Sequence, residues 1–176
     1  MKLSRHSWVV TILVILTIAS ACNGSSSDGL PVRNTGHYAI VETDRGTFVI
    51  ELYPKVASKT VENFETLTKK GSYNGLTFHR VVPDFVVQGG DPRGDGEGGP
   101  GFTLRCEVSP RTYVRGTVGM ALAGKDTGGS QVFVTVAPQP HLDGRYTIIG
   151  TVVSGMEALD GLAEGDGMGN WLLVPP

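Results

Sequence analysis

Arg80 and Gln88 sit eight positions apart in an otherwise mostly apolar run, Phe78-His79-Arg80-Val81-Val82-Pro83-Asp84-Phe85-Val86-Val87-Gln88-Gly89-Gly90-Asp91. In an extended chain, residues an even number apart share a face. Arg80, Phe85 and Gln88 can therefore meet on one surface if the chain bends at Pro83. A guanidinium and an amide donor beside an aromatic ring can grip a peptide carbonyl and an apolar ring. They do not make a nucleophile–base pair.

Other motifs carry less chemistry. Gly94-Asp95-Gly96-Glu97-Gly98-Gly99 satisfies G-x-G-x-x-G, but a pyrophosphate needs a helix N-terminus immediately afterwards, and Pro100-Gly101 follows instead. Asp91, Asp95 and Glu97 do not continue into a calcium loop with its bidentate glutamate, and they read as solvated loop acids. Arg93-Gly94-Asp95 reads as a coincidence. His6, His37, His79 and His141 form no metal spacing. Gly128-Gly129-Ser130-Gln131 lacks the second glycine of a hydrolase elbow. Hydrolase, metalloenzyme and nucleotide-binding readings are unsupported, and no metal or cofactor is expected. With 15 Lys+Arg against 17 Asp+Glu, no clustered basic excess points to nucleic acid.

The elements that must position Arg80 and Gln88 follow from periodicity. Tyr38–Thr43 and Thr47–Tyr53 flank Asp44-Arg45-Gly46 as a hairpin. From Val56 to Lys70, Ala57, Val61, Phe64 and Thr68 keep a helical rhythm, with Leu67 adjoining. Ser58 is the expected cap, and Lys69-Lys70-Gly71 suits the helix end. Strands are predicted at Thr77–Val82, Phe85–Gly89, Gly116–Ala121, Val132–Val136, Tyr146–Val153 and Trp171–Val174. A shorter helix is expected over Gly155–Ala163, with Met156, Leu159 and Ala163 inward. Pattern alone leaves a barrel and a sandwich open.

The order F-H-R-V-V-P-x-F-x-x-Q-G-G-D closely resembles the signature of the cyclophilins, which are peptidyl-prolyl cis/trans isomerases. Two later blocks resemble cyclophilin segments in the expected order. They are Gly119-Met120-Ala121-Leu122-Ala123-Gly124-Lys125-Asp126-Thr127-Gly128-Gly129-Ser130-Gln131-Val132-Phe133 and Pro140-His141-Leu142-Asp143-Gly144-Arg145-Tyr146. The resemblance spans about residues 37–174 and implies a mainly β fold: a closed eight-stranded antiparallel β-barrel capped by two α-helices.

For the site, the resemblance implies a catalytic set of Arg80, Phe85 and Gln88, with Arg80 acting on the proline nitrogen and Gln88 on a carbonyl. Phe85, Val86, Phe133 and Leu142 would hold the proline ring. Ala121, Leu122, Ala123 and Gln131 would line the groove for preceding residues, with the Leu122 main chain pairing in strand fashion. Gly96, His141 and Tyr146 complete the implied substrate-binding set, and His79 is read as structural.

Many cyclophilins carry Met at the Val86 position, Asn at Leu122, Trp at His141 and His at Tyr146. The Trp position is associated with cyclosporin, so weak cyclosporin binding is expected. Implied partners are proline-containing polypeptides bound by a monomer. The alternative is a non-catalytic proline-peptide-binding module or holdase chaperone using the same groove.

The N-terminus carries a location. Lys2 and Arg5 precede the uncharged run Trp8 to Ala19, ending in Ala19-Ser20-Ala21-Cys22. A basic end, an apolar stretch of about a dozen residues and small residues describe an export signal. Ala19-Ser20-Ala21-Cys22 resembles the bacterial lipobox, which implies cleavage after residue 21 and lipidation of Cys22. Ordinary secretory cleavage near Ala21 and an uncleaved anchor are the alternatives. In a Gram-negative cell, Asn23 would permit outer-membrane sorting. Residues 22–36 are expected to be the lipidated cysteine and a flexible Gly/Ser-rich tether, and residues 37–176 the isomerase domain. With Cys22 lipidated, Cys106 is left as a lone thiol, expected to act as a small buried hydrophobe.

Overall fold

A computed structural model describes residues 36–174. The expected signal segment, Cys22 and nearly all of the tether lie outside the described residues. The elements run β1 (His37–Thr43), β2 (Gly46–Leu52), α1 (Ser58–Lys69), β3 (Arg80–Val82), β4 (Val86–Gly89), β5 (Thr117–Met120), β6 (Val132–Thr135), β7 (Ile148–Ser154), α2 (Met156–Asp160) and β8 (Met168–Val174). A single 3-10 turn covers Pro140–Leu142.

All eight strands join one antiparallel sheet in the order β3-β4-β6-β5-β7-β2-β1-β8. The expected barrel is not closed. The edge strands β3 and β8 do not pair; the chain before β3 meets the start of β8 through the isolated bridge between Thr77 and Gly167 and through backbone bonds of Met168 with Gly75 and Leu76. The reason lies in the chain before β3. The segment expected to be strand from Thr77 holds only that bridge, and Phe78 exchanges backbone bonds with the loop, accepting from Gly165 and donating to Asp166. The sheet is an open half-barrel.

Strand alternation builds two separate apolar cores. Val87, Val132, Val134 and Ile149 point into the main core with Val41, Phe48, Ile50, Phe64 and Trp171. Their neighbours Val86, Phe133 and Ile148 point to the other face, where Tyr113 and Leu142 join them. The period of two in β4, β6 and β7 thus feeds both faces.

On α1, the expected stripe is buried: Val61, Phe64, Leu67 and Thr68, with Ala57 just before it. Ser58, expected as the cap, is instead the first helical residue, and Ala57 at the cap position bonds no helix amide through its side chain. The carboxylate of Glu107 serves from outside, accepting from the Lys59 amide (3.1 Å), the Thr60 amide (2.7 Å) and the Thr60 hydroxyl (2.7 Å). At the other end, Gly71 takes φ +68°, and Ser72 and Gly71 donate to the carbonyls of Leu67 and Thr68. That is a Schellman ending. The second helix is shorter than expected, and Ala163 lies beyond it, exposed. Leu159 is buried as expected, and Ala158 and Leu162 join it in place of Ala163, because the chain leaves the helix at Gly161 before residue 163 can turn inward. Cys106, expected to be buried, is half-exposed in the long 90–116 connection.

Candidate active site

Antiparallel pairing of β3 with β4 sets Arg80 directly opposite Gln88 and Val82 opposite Val86. Opposite residues share a face, so the two polar side chains stand on the outer face, beside the second core. Between the strands the chain turns at Pro83-Asp84, with Asp84 at φ +56° and the Phe85 amide bonded to the Val82 carbonyl at 3.1 Å. The turn brings the Phe85 ring beneath the guanidinium, whose Cζ lies 5.3 Å from the ring centre. The bend at Pro83 expected from the sequence is therefore what assembles Arg80, Phe85 and Gln88.

Across β6, Gln88 is paired with Phe133 and Phe133 with Gly119 of β5. A Cβ at Gly119 would lie 2.5 Å from the Tyr113 hydroxyl and 2.6 Å from the Phe133 ring, so only glycine lets these rings close over the strand. Phe133 stacks on Tyr113 at 5.6 Å and meets Tyr146 edge-on at 5.8 Å. Burial pushes the Tyr113 hydroxyl far above its ordinary pKa, and it donates to the Thr147 carbonyl. It acts as packing, not as an acid.

These side chains enclose a pocket of about 110 Å³, lined by Arg80, Phe85, Val86, Gln88, Ala121, Leu122, Phe133, Leu142 and Tyr146. Its space is several times the roughly 30 Å³ share of one water, enough for a small apolar ring. A second, wider cleft of about 400 Å³ shares Gln88, Ala121 and Leu122 with it and continues past Ala123, Gln131 and Gly96. His141 lines neither pocket. It is exposed and stacks on the outer side of Phe85 at 5.6 Å. His79 turns away from Arg80 with both ring nitrogens buried and unbonded, in keeping with a structural role.

A chain of hydrogen bonds links the guanidinium to the glycine-rich loop. Arg80 Nη1 donates to Gln88 Oε1 (3.3 Å), and Gln88 Nε2 donates to Gln131 Oε1 (2.9 Å). Gln131 Nε2 then donates to the carbonyls of Gly96 (2.9 Å) and Gly98 (2.8 Å). The loop itself is tied down by Asp91. Contrary to its reading as a solvated acid, Asp91 is only 1% exposed. Its carboxylate accepts from the amides of Arg93 (2.8 Å), Gly96 (2.5 Å) and Gly98 (3.2 Å). Burial opposes its charge, but the amides of Arg93, Gly98 and Gly96 more than offset this and hold the carboxyl below the ordinary aspartate range. The sequence signal for this role was an acid followed closely by glycines, whose backbone can wrap around one carboxylate. Asp95 and Glu97 are exposed, as expected.

The site therefore offers a fixed cation, a carboxamide and an apolar pocket. Among the described residues no group of three His, Cys, Asp or Glu side chains could hold a metal ion. No described helix is long and apolar enough to cross a membrane.

Comparison with known proteins places the chain among relatives of one family. The family model of the cyclophilin type peptidyl-prolyl cis-trans isomerases matches residues 38–173. The peptidyl-prolyl cis-trans isomerase B of Bacillus subtilis is 51% identical over 136 residues, covering 76% of this chain and 94% of that protein. A peptidyl-prolyl cis-trans isomerase of Helicobacter pylori is 49% identical over 133 residues, covering 73% and 82%. Among solved structures, a Cryptosporidium parvum cyclophilin type isomerase determined in the presence of the dipeptide Ala-Pro superposes with a TM-score of 0.75 at 30% identity, covering 79% of this chain and 99% of that one.

Proposed function

The chain belongs to the cyclophilin-type peptidyl-prolyl cis-trans isomerases, and we propose that its groove accelerates X-Pro rotation in exported polypeptides with Arg80 as the catalytic cation. One observation carries the assignment of roles: a guanidinium is held over Phe85 and tied to Gln88 at the wall of a ring-sized apolar pocket.

The barrier is about 18–20 kcal/mol, because resonance gives the C–N bond partial double-bond character. Uncatalysed exchange takes tens to hundreds of seconds. Turnover at about 10–1000 per second requires roughly 4–7 kcal/mol of transition-state stabilisation. When the amide rotates, its nitrogen loses conjugation and becomes a better hydrogen-bond acceptor. A guanidinium aimed at that nitrogen therefore binds the twisted state more tightly than the planar one. Phe85, Val86, Phe133 and Leu142 hold the proline ring, and Gln88 holds the carbonyl. The flank preceding proline runs past Ala121, Leu122 and Ala123 toward Gln131 and Gly96. Partial exclusion of water by the apolar walls strengthens the Arg80 contact. No proton moves.

The reading is tested by protease-free exchange measurements on the purified protein and on Arg80→Ala. A charge-assisted hydrogen bond is worth about 1.5–3 kcal/mol, so Arg80→Ala should lose about 10–150-fold in kcat/KM, carried by kcat. Equal exchange in enzyme, variant and buffer would refute catalysis. Continued peptide binding in that case would establish the binding-module alternative.

Location belongs to the same proposal. The small residues before Cys22 support lipidation there, which would leave a monomeric domain tethered at a membrane facing the periplasm or cell exterior. Mass spectrometry of the mature N-terminus should find a diacylglyceryl-modified Cys22, whereas an intact Met1 would refute it. His141 presents an imidazole at the outer side of Phe85, a smaller apolar surface than indole, and weak cyclosporin binding is proposed on that ground.

A further inference from the structure

The two glycines that Gln131 holds by their carbonyls are the same two that Asp91 holds by their amides. Gln131 Nε2 donates to the carbonyls of Gly96 and Gly98 at 2.9 and 2.8 Å. Asp91 Oδ2 accepts from the amides of Gly96 and Gly98 at 2.5 and 3.2 Å, and Oδ1 from the Arg93 amide at 2.8 Å. Among the described residues, every hydrogen bond from residues 92–103 to the rest of the molecule ends on Asp91 or Gln131. The bonds that Asp95 accepts from Arg93 and from the Glu97 amide stay within the loop. This double grip requires glycine: Gly96 takes φ +88°, and a Cβ at Gly98 would overlap the Asp91 carboxylate. The backbone beneath Asp91 is fastened as well, because the Ser130 hydroxyl donates to the Gly90 carbonyl at 2.7 Å.

We propose that Asp91 is a positioning residue for the isomerisation: by fixing Gly96 and Gly98 it aims their carbonyls at Gln131, and through Gln131 and Gln88 it orients the Arg80 guanidinium. The inference rests on the proposed function, in which Arg80 is the catalytic cation. Asp91 lines neither the ring pocket nor the wide cleft, so its effect on the reaction passes through this chain of bonds. A glycine-rich loop loses more conformational freedom on ordering than other chain does. Hydrogen bonds to a carboxylate are stronger than neutral ones, and three of them converge here. Without them the two carbonyls turn toward water, Gln131 is free to leave its rotamer, and Gln88 loses the partner that orients its oxygen toward Arg80.

The test measures protease-free exchange in wild type, Asp91→Asn, Gln131→Ala and the double variant, at a temperature where melts show each of them folded. Two substrates are compared: Ala-Pro amide, which ends at the residue before proline, and a longer peptide whose preceding residues run along the wide cleft. Asp91→Asn keeps the size of the side chain but gives up its charge and one acceptor. It should lower kcat/KM about 2–12-fold, the scale of one net hydrogen bond, equally on both substrates and through kcat on the longer one. In the Gln131→Ala background the same change should cost less than about 2-fold, because the link is already cut. If Asp91→Asn does not fold, Gly98→Ala takes its place in the same cycle, since it crowds the carboxylate from the loop side. Wild-type rates in the variant, a loss confined to the longer peptide, or equal losses in both backgrounds would overturn the positioning role. Exchange above buffer in wild type that falls in Arg80→Ala sustains the isomerase reading in every one of those cases.

Discussion

Replacing Gln131 with glutamate changes one NH2 for an oxygen and almost nothing in volume, yet it should cripple the groove. In the wild type, the Gln131 amide nitrogen donates to Gly96 and Gly98 at 2.9 and 2.8 Å, while its oxygen accepts from Gln88 at 2.9 Å. Glutamate keeps the bond from Gln88 but sets a carboxylate oxygen against two carbonyls. Two neutral hydrogen bonds at about 0.5–1.5 kcal/mol each are lost, and the new charge pushes the loop away. If that sum of about 1–3 kcal/mol is what keeps Gln88 and Arg80 aligned, kcat/KM falls about 5–150-fold. Gln131→Ala leaves the carbonyls free to bind water and should cost only about 2–12-fold. The larger variant is therefore the worse one. The carbonyl dipoles oppose ionisation and raise the new carboxyl above the usual value of about 4.3. As pH falls through that raised value, the introduced carboxyl of Gln131→Glu takes up a proton and regains a donor for the loop. The gap between Gln131→Glu and Gln131→Ala should then narrow. Exchange spectroscopy on an X-Pro peptide, with thermal melts alongside, measures both. If Gln131→Glu matches wild type, or Gln131→Ala is worse than Gln131→Glu, the relay does not hold the site.

Three further outcomes concern other parts of the molecule. Arg80→Lys keeps the charge but loses the planar fork that lies over Phe85 and reaches Gln88, so it should recover only part of the exchange rate lost in Arg80→Ala. Glu107→Ala strips the α1 amides of their acceptor and should cost about 1–2 kcal/mol at pH 7, seen as a lower Tm. Burial opposes the Glu107 charge, but the Thr60 hydroxyl and the Thr60 and Lys59 amides overcome this and lower its pKa from 4.5. Its stabilisation is therefore present above about pH 4.5 and lost as pH falls through the depressed value, so wild-type and variant melts should converge once the pH is below it. Tyr73→Phe deletes a hydroxyl that is buried with no partner among the described residues; stability should hold or rise by about 1 kcal/mol, and a clear fall in Tm would show a partner for it.

Periodicity made α1, the hairpin and the strand positions legible, because each element must bury one face and the face repeats every 3.6 or every two residues. The spacing of Arg80, Phe85 and Gln88 announced a shared surface, and the register of β3 on β4 delivers it. Ends were less legible. Ala163 fits the helical rhythm of α2 but lies past its last residue, Asp160, since rhythm does not say where the chain turns away. The openness between β3 and β8 was not visible either, because closure depends on whether two segments about ninety residues apart meet along their length.

Alternation and the order of the three blocks already dictate which residue types meet on the outer face of β4 and β6, since they leave the strands little freedom. How those residues are held emerges only once the chain is folded. Asp91 reads as a loop acid until its carboxylate is seen buried under three amides. Glu107 belongs to no motif in the sequence, yet its carboxylate caps a helix that begins about fifty residues earlier. Both carboxylates act on backbone amides, which every residue but proline carries, so no pattern of side chains could single out their partners.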